Sequence, residues 1–291
     1  MLALPHGFKR WQSLEQVHSV AHQLGQEWQG QVAFESMLLQ AKSKWLSGYC
    51  VGCQAVRRFD YRQIALVEPN WRESLGCDRC GLINRWRAAL HLFHCLPRPS
   101  GSVYLTEQTT RLYRHIKTRE PSLIGSEFAS PSTPPGQSFR WRIRQLRHED
   151  VTRLSFADAS QAAVLSFDVL EHVADYRAAV REFVRVLQPG GLLLLTVPFN
   201  LQQAQTVVRA RLNASGQIEH LLPPQHHGNP LSAKGVLCFQ DFGWDLLDDF
   251  RTAGLEPVQL ITACSPAFGY LGSAQPFVVG WRSRTAAPLR R

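Results

Sequence analysis

Two Cys-x-x-Cys pairs, Cys50-Val-Gly-Cys53 and Cys77-Asp-Arg-Cys80, stand with 23 residues between them. Two intervening residues let both thiolates of a tight turn face one ion, and a second such turn completes a tetrahedral set. The spacing therefore predicts a small zinc-ribbon-like module in which Cys50, Cys53, Cys77 and Cys80 hold a structural zinc ion. Gly52 and Gly81 supply backbone freedom at the turns. A redox motif is the rival reading for either pair alone. Two pairs without a surrounding βαβ pattern count against it. Four protein ligands leave no open position for chemistry, so such an ion folds the module rather than catalysing.

The other three cysteines, Cys95, Cys238 and Cys264, sit singly in apolar surroundings and read as small buried hydrophobes. In 291 residues this is not the cysteine-dense pattern of a secreted disulfide framework. No window offers the roughly 20 apolar residues that cross a bilayer, and Met1–Arg10 has no signal-like apolar stretch. The expectation is a cytoplasmic protein without a membrane partner.

Hydrophobic periodicity divides the chain. Residues 1–48 read as N-terminal helices: Leu14, Val17, Val20 and Ala21 form one stripe that Gly25 would stop, and Phe34, Met37, Leu38, Ala41 and Trp45 form another ending near Gly48. Residues 49–97 hold the cysteine module. Its last helix, from Arg85 to Cys95, stops at the breaker Pro97-Arg98-Pro99-Ser100-Gly101.

Residues 101–285 then alternate strand and helix. Val103–Thr106, Leu123–Gly125, Trp141–Leu146, Ala162–Ser166 and Leu192–Val197 read as five successive strands. Leu112, Tyr113 and Ile116 share a short helix, Tyr176–Leu187 is a clear amphipathic one, and Asp241–Ala253 another that Gly254 would end. Pro257–Ala263 and Pro276–Trp281 close the chain as strands. This order predicts an α/β fold: a Rossmann-like, seven-stranded, mostly parallel sheet with helices on both faces.

From Asp150 onward the sequence resembles a known family. Asp150-Val-Thr-Arg-Leu-Ser-Phe156, Val164-Leu-Ser-Phe-Asp-Val-Leu-Glu-His-Val173 and Arg185-Val-Leu-Gln-Pro-Gly-Gly191 with Val197-Pro198 are similar, in order and spacing, to motifs of class I S-adenosylmethionine-dependent methyltransferases. Trp71–Arg85, His227–Pro230 and Phe242–Leu247 also resemble a subgroup with an N-terminal zinc ribbon. The resemblance implies S-adenosylmethionine as cofactor. Open α/β sheets bind ligands at the carboxyl ends of their strands, where Glu127 can meet the ribose hydroxyls, Asp150 the adenine amino group, and Phe167 the adenine or the cleft wall. Acids at strand ends also cap helices, the competing reading for Glu127 and Asp150.

The family's glycine loop after the first strand is replaced by Thr106-Glu-Gln-Thr-Thr-Arg111, with no glycine between Gly101 and Gly125. Glu107 is then the candidate for the cofactor's amino group, and an inactive, methyltransferase-like binding or scaffold module is the alternative. Gln161-Ala162 is a second departure, where the family usually has an aromatic and an aspartate. His172 is the candidate general base, with Asp168 and Glu171 beside it; a hydrogen-bonding pair at a helix start is the other reading of Glu171-His172. Glu219, His220, His226, His227 and Asn229 form a second polar cluster, read as an acceptor-facing loop rather than a metal site.

The acceptor reads as a small molecule or glycan-like compound. The net charge of +9, with basic–aromatic segments at Arg85–Arg87, Arg111–Arg119 and Arg140–Arg147, leaves nucleic acid and an RNA methyltransferase open. The alternative for those arginines is a solvated basic face.

Overall fold

The computed structural model describes residues 4–229 and 232–284; Pro230 of the His227–Pro230 stretch and residue 285 fall outside them. By its contacts the chain divides into two units, Met1–Leu96 with Leu260–Phe277 and Pro97–Gln259 with Val278–Arg291. Among the described residues no helix is long and apolar enough to cross a membrane.

In the first unit, strand β1 (Phe8–Trp11) precedes helices α1 (Leu14–Ser19) and α2 (Ala21–Gln40). Strands β2 (Trp45–Cys50), β3 (Ala55–Asp60) and β4 (Gly76–Cys77) form a three-stranded sheet, followed by α3 (Asn84–Cys95). Two expectations fail here. Helix α2 runs straight through Gly25, an internal glycine costing about 1 kcal/mol against alanine. Tertiary contacts offset that cost: buried Glu35 accepts from the Gly272 amide at 2.7 Å, and Gln31 donates to the Gly272 carbonyl. Trp45–Gly48 is strand, not helix, because the chain leaves α2 after Gln40 and must enter the first cysteine turn extended.

The second unit contains β5 (Ser102–Leu105), α4 (Arg111–Lys117), β6 (Leu123–Gly125), β7 (Ser138–Trp141), β8 (Arg144–Arg147), β9 (Gln161–Phe167), α5 (Tyr176–Val186) and β10 (Leu187–Thr196). Short strands follow: β11 (Val207–Val208), β12 (Ala210–Leu212), β13 (Ile218–His220), β14 (His226–Asn229), β15 (Ser232–Leu237) and β16 (Gln240–Asp241), then α6 (Asp245–Thr252). Gly254, at φ +104, ends α6 as expected, although that helix begins four residues later than its periodicity suggests. The long strands β17 (Leu255–Ser265) and β18 (Tyr270–Arg282) complete the chain.

Seven strands share one mixed sheet in the order β1-β17-β18-β10-β9-β5-β6. Pairs β6–β5, β5–β9 and β9–β10 are parallel, while β10–β18 and β1–β17 are antiparallel. All seven residues of β9 are buried, the continuous apolar run that a strand covered on both faces requires. The amphipathic stripe of α5 buries Tyr176, Ala179, Val180, Phe183 and Val184, and Asp175 caps it by accepting from the Ala178 amide at 2.9 Å. Arg185, in the helix-to-strand motif, donates to Glu182 and Asp158 and to the Leu154 and Phe156 carbonyls, tying down the loop before β9.

Trp141–Leu146 is not a strand of this sheet. Residues 138–147 fold on themselves as the β7–β8 hairpin, turning through Arg142 at φ 52. Arginine at every second position in Arg140-Trp-Arg-Ile-Arg144 leaves no face apolar enough for a sheet interior. The seventh strand is instead β1, which pairs Phe8 with Ala263 at the sheet's edge. Its Lys9 and Arg10 are the charges an exposed edge needs, and they hid it from a hydrophobicity-based reading.

Leu194 is fully buried in the middle of β10, whereas Ile143 at the hairpin tip is 94% exposed. Leu194→Ala is expected to lower unfolding free energy by about 2–5 kcal/mol, and Ile143→Ala to leave it within about 0.5 kcal/mol. Urea denaturation of the two variants measures the contrast.

Candidate functional site

Chain order around β5 reverses: β6 lies on one side of it and β9 on the other. The carboxyl ends of β5 and β9 therefore flank a topological switch point, where an open parallel sheet leaves a crevice. Thr106, just past β5, binds across that point, its amide to the Leu165 carbonyl at 3.0 Å and its hydroxyl to Ser166 at 3.2 Å.

The glycine-free loop after β5 is held down by one carboxylate. Glu127 Oε1, past β6, accepts from the Gln108 amide at 2.9 Å, the Thr109 amide at 2.8 Å and the Thr109 hydroxyl at 2.7 Å. Glu127 Oε2 takes part in none of these bonds. Gln108 is gripped again from the hairpin: its Oε1 accepts from the Arg147 amide at 2.9 Å and its carbonyl from Arg144 at 3.3 Å. Thr110 then caps α4 through the Tyr113 amide. Glu107, half-buried on the same loop, approaches β6 so closely that a Cβ on Gly125 would lie 2.8 Å from its carbonyl oxygen.

The other predicted residues divide. Phe167, buried, and Asp168 continue β9 to the switch point. Asp168 holds φ 55 and accepts from the Thr196 hydroxyl at 2.9 Å, which joins the tips of β9 and β10. Asp150 is used within its own turn: Oδ1 accepts from the Thr152 amide and hydroxyl, and Oδ2 from Arg153.

Beyond Asp168 a one-turn 3-10 helix, Leu170–His172, carries Glu171 and His172. His172 Nδ1 lies 2.8 Å from the Leu237 carbonyl, which only accepts, so Nδ1 is the donor of that bond. Glu171 is fully buried and neither carboxylate oxygen makes a hydrogen bond. His227 Nδ1 stands 3.5 Å from Glu171 Oε1, and His172 Nε2 3.8 Å from it. Burial pushes the Glu171 carboxyl up, and contact with Glu171 raises His227. His172, His227 and Cys238 each place a ligand atom within 4.8 Å of the others, so this corner has the donor set to take a metal ion.

Sequence reading saw His227 only within the second polar cluster. The structure separates that cluster: Glu219 pairs with Arg211 on the surface and His220 and His226 are exposed, while His227 is carried to Glu171. Cys238, read as a buried hydrophobe, is buried, with its thiol pushed up to about 11 by burial.

In the first unit, Cys50 ends β2 and Cys77 ends β4, and each opens a turn whose fourth residue is the second cysteine of its pair. The left-handed positions are Gln54 at φ 52 and Gly81 at φ 68; Gly52 is not one of them. Sγ atoms of Cys50 and Cys80 are 3.7 Å apart, those of Cys53 and Cys77 3.8 Å, and all four lie within 4.8 Å of one another. Four thiolates about 2.3 Å from a tetrahedral ion would sit about 3.8 Å apart. The sulfurs are already placed for one.

The grip of Glu127 on the 106–110 loop predicts a dynamic effect. Replacing three bonds to a charged acceptor by Glu127→Ala is expected to speed hydrogen exchange of the Gln108 and Thr109 amides by about tenfold or more, with β9 amides unchanged. Exchange read by mass spectrometry or NMR checks it.

A methyltransferase-domain family model matches residues 100–195, the stretch that contains β5 to β10 and the switch point. A protein named as a probable S-adenosylmethionine-dependent methyltransferase of Mycolicibacterium smegmatis is 42% identical over 53 residues, 18% of this chain and 21% of that one. A ubiquinone biosynthesis O-methyltransferase of Rhizobium leguminosarum bv. trifolii is 26% identical over 172 residues, 55% of this chain and 66% of that one. The chain thus spans about a fifth of the first relative's length and just under two thirds of the second's. A solved S-adenosylmethionine-dependent methyltransferase from Mesorhizobium loti superposes with a TM-score of 0.44 at 15% identity, covering 70% of this chain and all of that one. Residues 100–195 of the chain carry a methyltransferase domain.

Proposed function

We propose that this protein transfers a methyl group from S-adenosylmethionine to a small-molecule or glycan-like acceptor. The observation that supports it best is Glu127 at the switch point. One of its oxygens fixes the loop after β5, and the other takes no bond from that loop. A carboxylate presented in this way can accept from both hydroxyls of a ribose. Glu107, on the loop so fixed, is the residue for the cofactor's amino group. Phe167 would pack against the adenine or the cleft wall, and Asp150 would stand near the adenine amino group.

When bound, the cofactor supplies an electrophilic methyl on a sulfonium sulfur. The chain's part is to align the acceptor and keep water out. On the acceptor side, the bond from His172 Nδ1 to the Leu237 carbonyl orients the ring and leaves Nε2 as the atom for a proton transfer. Asp168 positions the β9 tip through Thr196.

The nucleic-acid reading loses one of its three basic segments, since Arg87 is fully buried and Arg85 is engaged by Glu73. A second reading is a binding module without activity. It is favoured by one observation: the loop amides of Gln108 and Thr109, which glycines would otherwise free for a ligand, are already spent on Glu127.

For Cys50, Cys53, Cys77 and Cys80 we propose a structural zinc ion, on the strength of the sulfur spacing.

Calorimetry with S-adenosylmethionine separates enzyme from binding module. The enzyme reading expects saturable binding, weakened about tenfold or more by Glu127→Ala. No heat at ligand excess over a correctly folded chain would overturn it. Elemental analysis of the purified chain is expected to find a zinc ion that the Cys77→Ser variant loses, together with cooperative unfolding of its N-terminal unit.

A further inference from the structure

Arg87, in α3, is the least expected charge in the molecule. Its side chain is fully buried, yet among the described residues no carboxylate pairs with it. Its hydrogen-bond partners are all carbonyl oxygens. Nη1 donates to Leu75 and, at 3.0 Å, to Leu82; Nη2 donates to Gly269 at 3.0 Å and Phe268 at 3.4 Å. The guanidinium lies 3.8 Å from the centre of the Phe59 ring. Gly269, at φ +65, makes the space: a Cβ there would fall 2.9 Å from Nη2. A cation taken out of water is costly unless an opposite charge meets it, and carbonyl dipoles alone are a weak replacement.

The opposite charge is next door. Leu75 and Leu82 bracket the second cysteine turn, and the Cys77 amide donates to the same Leu82 oxygen that Nη1 meets. Phe59, beneath the guanidinium, pairs with Cys77 in the β3–β4 ladder. Four thiolates around a divalent zinc ion would carry a net charge of two minus, with Cys50 and Cys77 buried at the ends of strands in the same small sheet. Burial disfavours the charged form of Arg87, while Tyr270 and then Cys50, Cys77 and Cys80 favour it.

We propose that Arg87 is the buried counter-charge of a four-thiolate zinc centre, so that zinc affinity is set by this guanidinium as well as by the cysteines. The inference rests on the zinc reading given above. Arg87 touches no thiolate hydrogen-bonding position itself; it acts as a positioning and charge-balancing residue. It also accounts for a buried arginine that, among the described residues, no carboxylate answers.

The test uses the full chain and two metals. Zinc affinity is read by competition with a chromophoric chelator, and cobalt substitution reports the thiolate-to-metal charge-transfer band. Arg87→Met is expected to weaken zinc binding by about tenfold or more, with Arg87→Lys recovering most of the loss. Charge balance further requires the Arg87→Met penalty to shrink in a Cys53→His background, where the ligand set is one charge less negative. Parent-like zinc affinity in Arg87→Met, or an equal penalty in both backgrounds, overturns the proposal and leaves Arg87 as a clamp on carbonyls. If Arg87→Met does not fold, Arg87→Lys against Arg87→Gln reads the same contrast: a glutamine variant as tight as lysine overturns it. A parent chain that takes up neither zinc nor cobalt through thiolates sinks the zinc reading itself, a result distinct from the others.

Discussion

The burial of β9 on both faces governs where chemistry can occur in the second unit. From Gln161 to Phe167 every side chain is buried, with β10 and β5 paired along its two edges. No ionisable group can be placed within such a strand without losing its water on all sides. The first ionisable residue of this run is Asp168, immediately beyond the last buried position, and Glu171 and His172 follow within one turn. The crowding of ionisable groups at the strand tip is a consequence of what the strand itself excludes. The turn is also tight enough to hold Asp168 in the left-handed region, where a short polar side chain is better tolerated than most.

How much of this was legible depended on whether the determinants were local. The α5 stripe and the strand from Leu192 are written in consecutive residues, and both appear where periodicity puts them. The left-handed Gly254 at the end of α6 is legible for the same reason. The hairpin at 138–147 was misread because alternation identifies a strand without saying which sheet can accept it. Strand β1 was missed because four residues with two central charges carry too little apolar signal, although β17 supplies the partner that orders them.

At the candidate site the same distinction holds. The four cysteines were readable because each pair is a local turn, and only the meeting of two turns had to be inferred. Glu127 was readable as an acid at a strand end. Its actual bonds, to amides 18 and 19 positions earlier, were not. The meeting of Glu171 with His227 joins residues 56 positions apart through β14, which no window of sequence connects. Buried charge is the common element of what was hidden. Glu171 and Arg87 both look like surface residues by type, and both are fully buried because distant segments close over them.

The missing glycine loop follows from these contacts. Glycines after the first strand of such a sheet let the backbone come close to a ligand. Here close approach occurs one strand away: Gly125 ends β6, and a Cβ on it would stand 2.4 Å from the Tyr113 ring. The loop after β5 can therefore carry side chains at every position and still lie flat against its neighbour. The Gln108 and Thr109 amides are drawn to Glu127 instead of being left open, so the loop is tied down there and has two fewer free donors. In the function proposed above, nucleoside recognition then falls to side chains, the second oxygen of Glu127 foremost, because the Gln108 and Thr109 amides are already bonded.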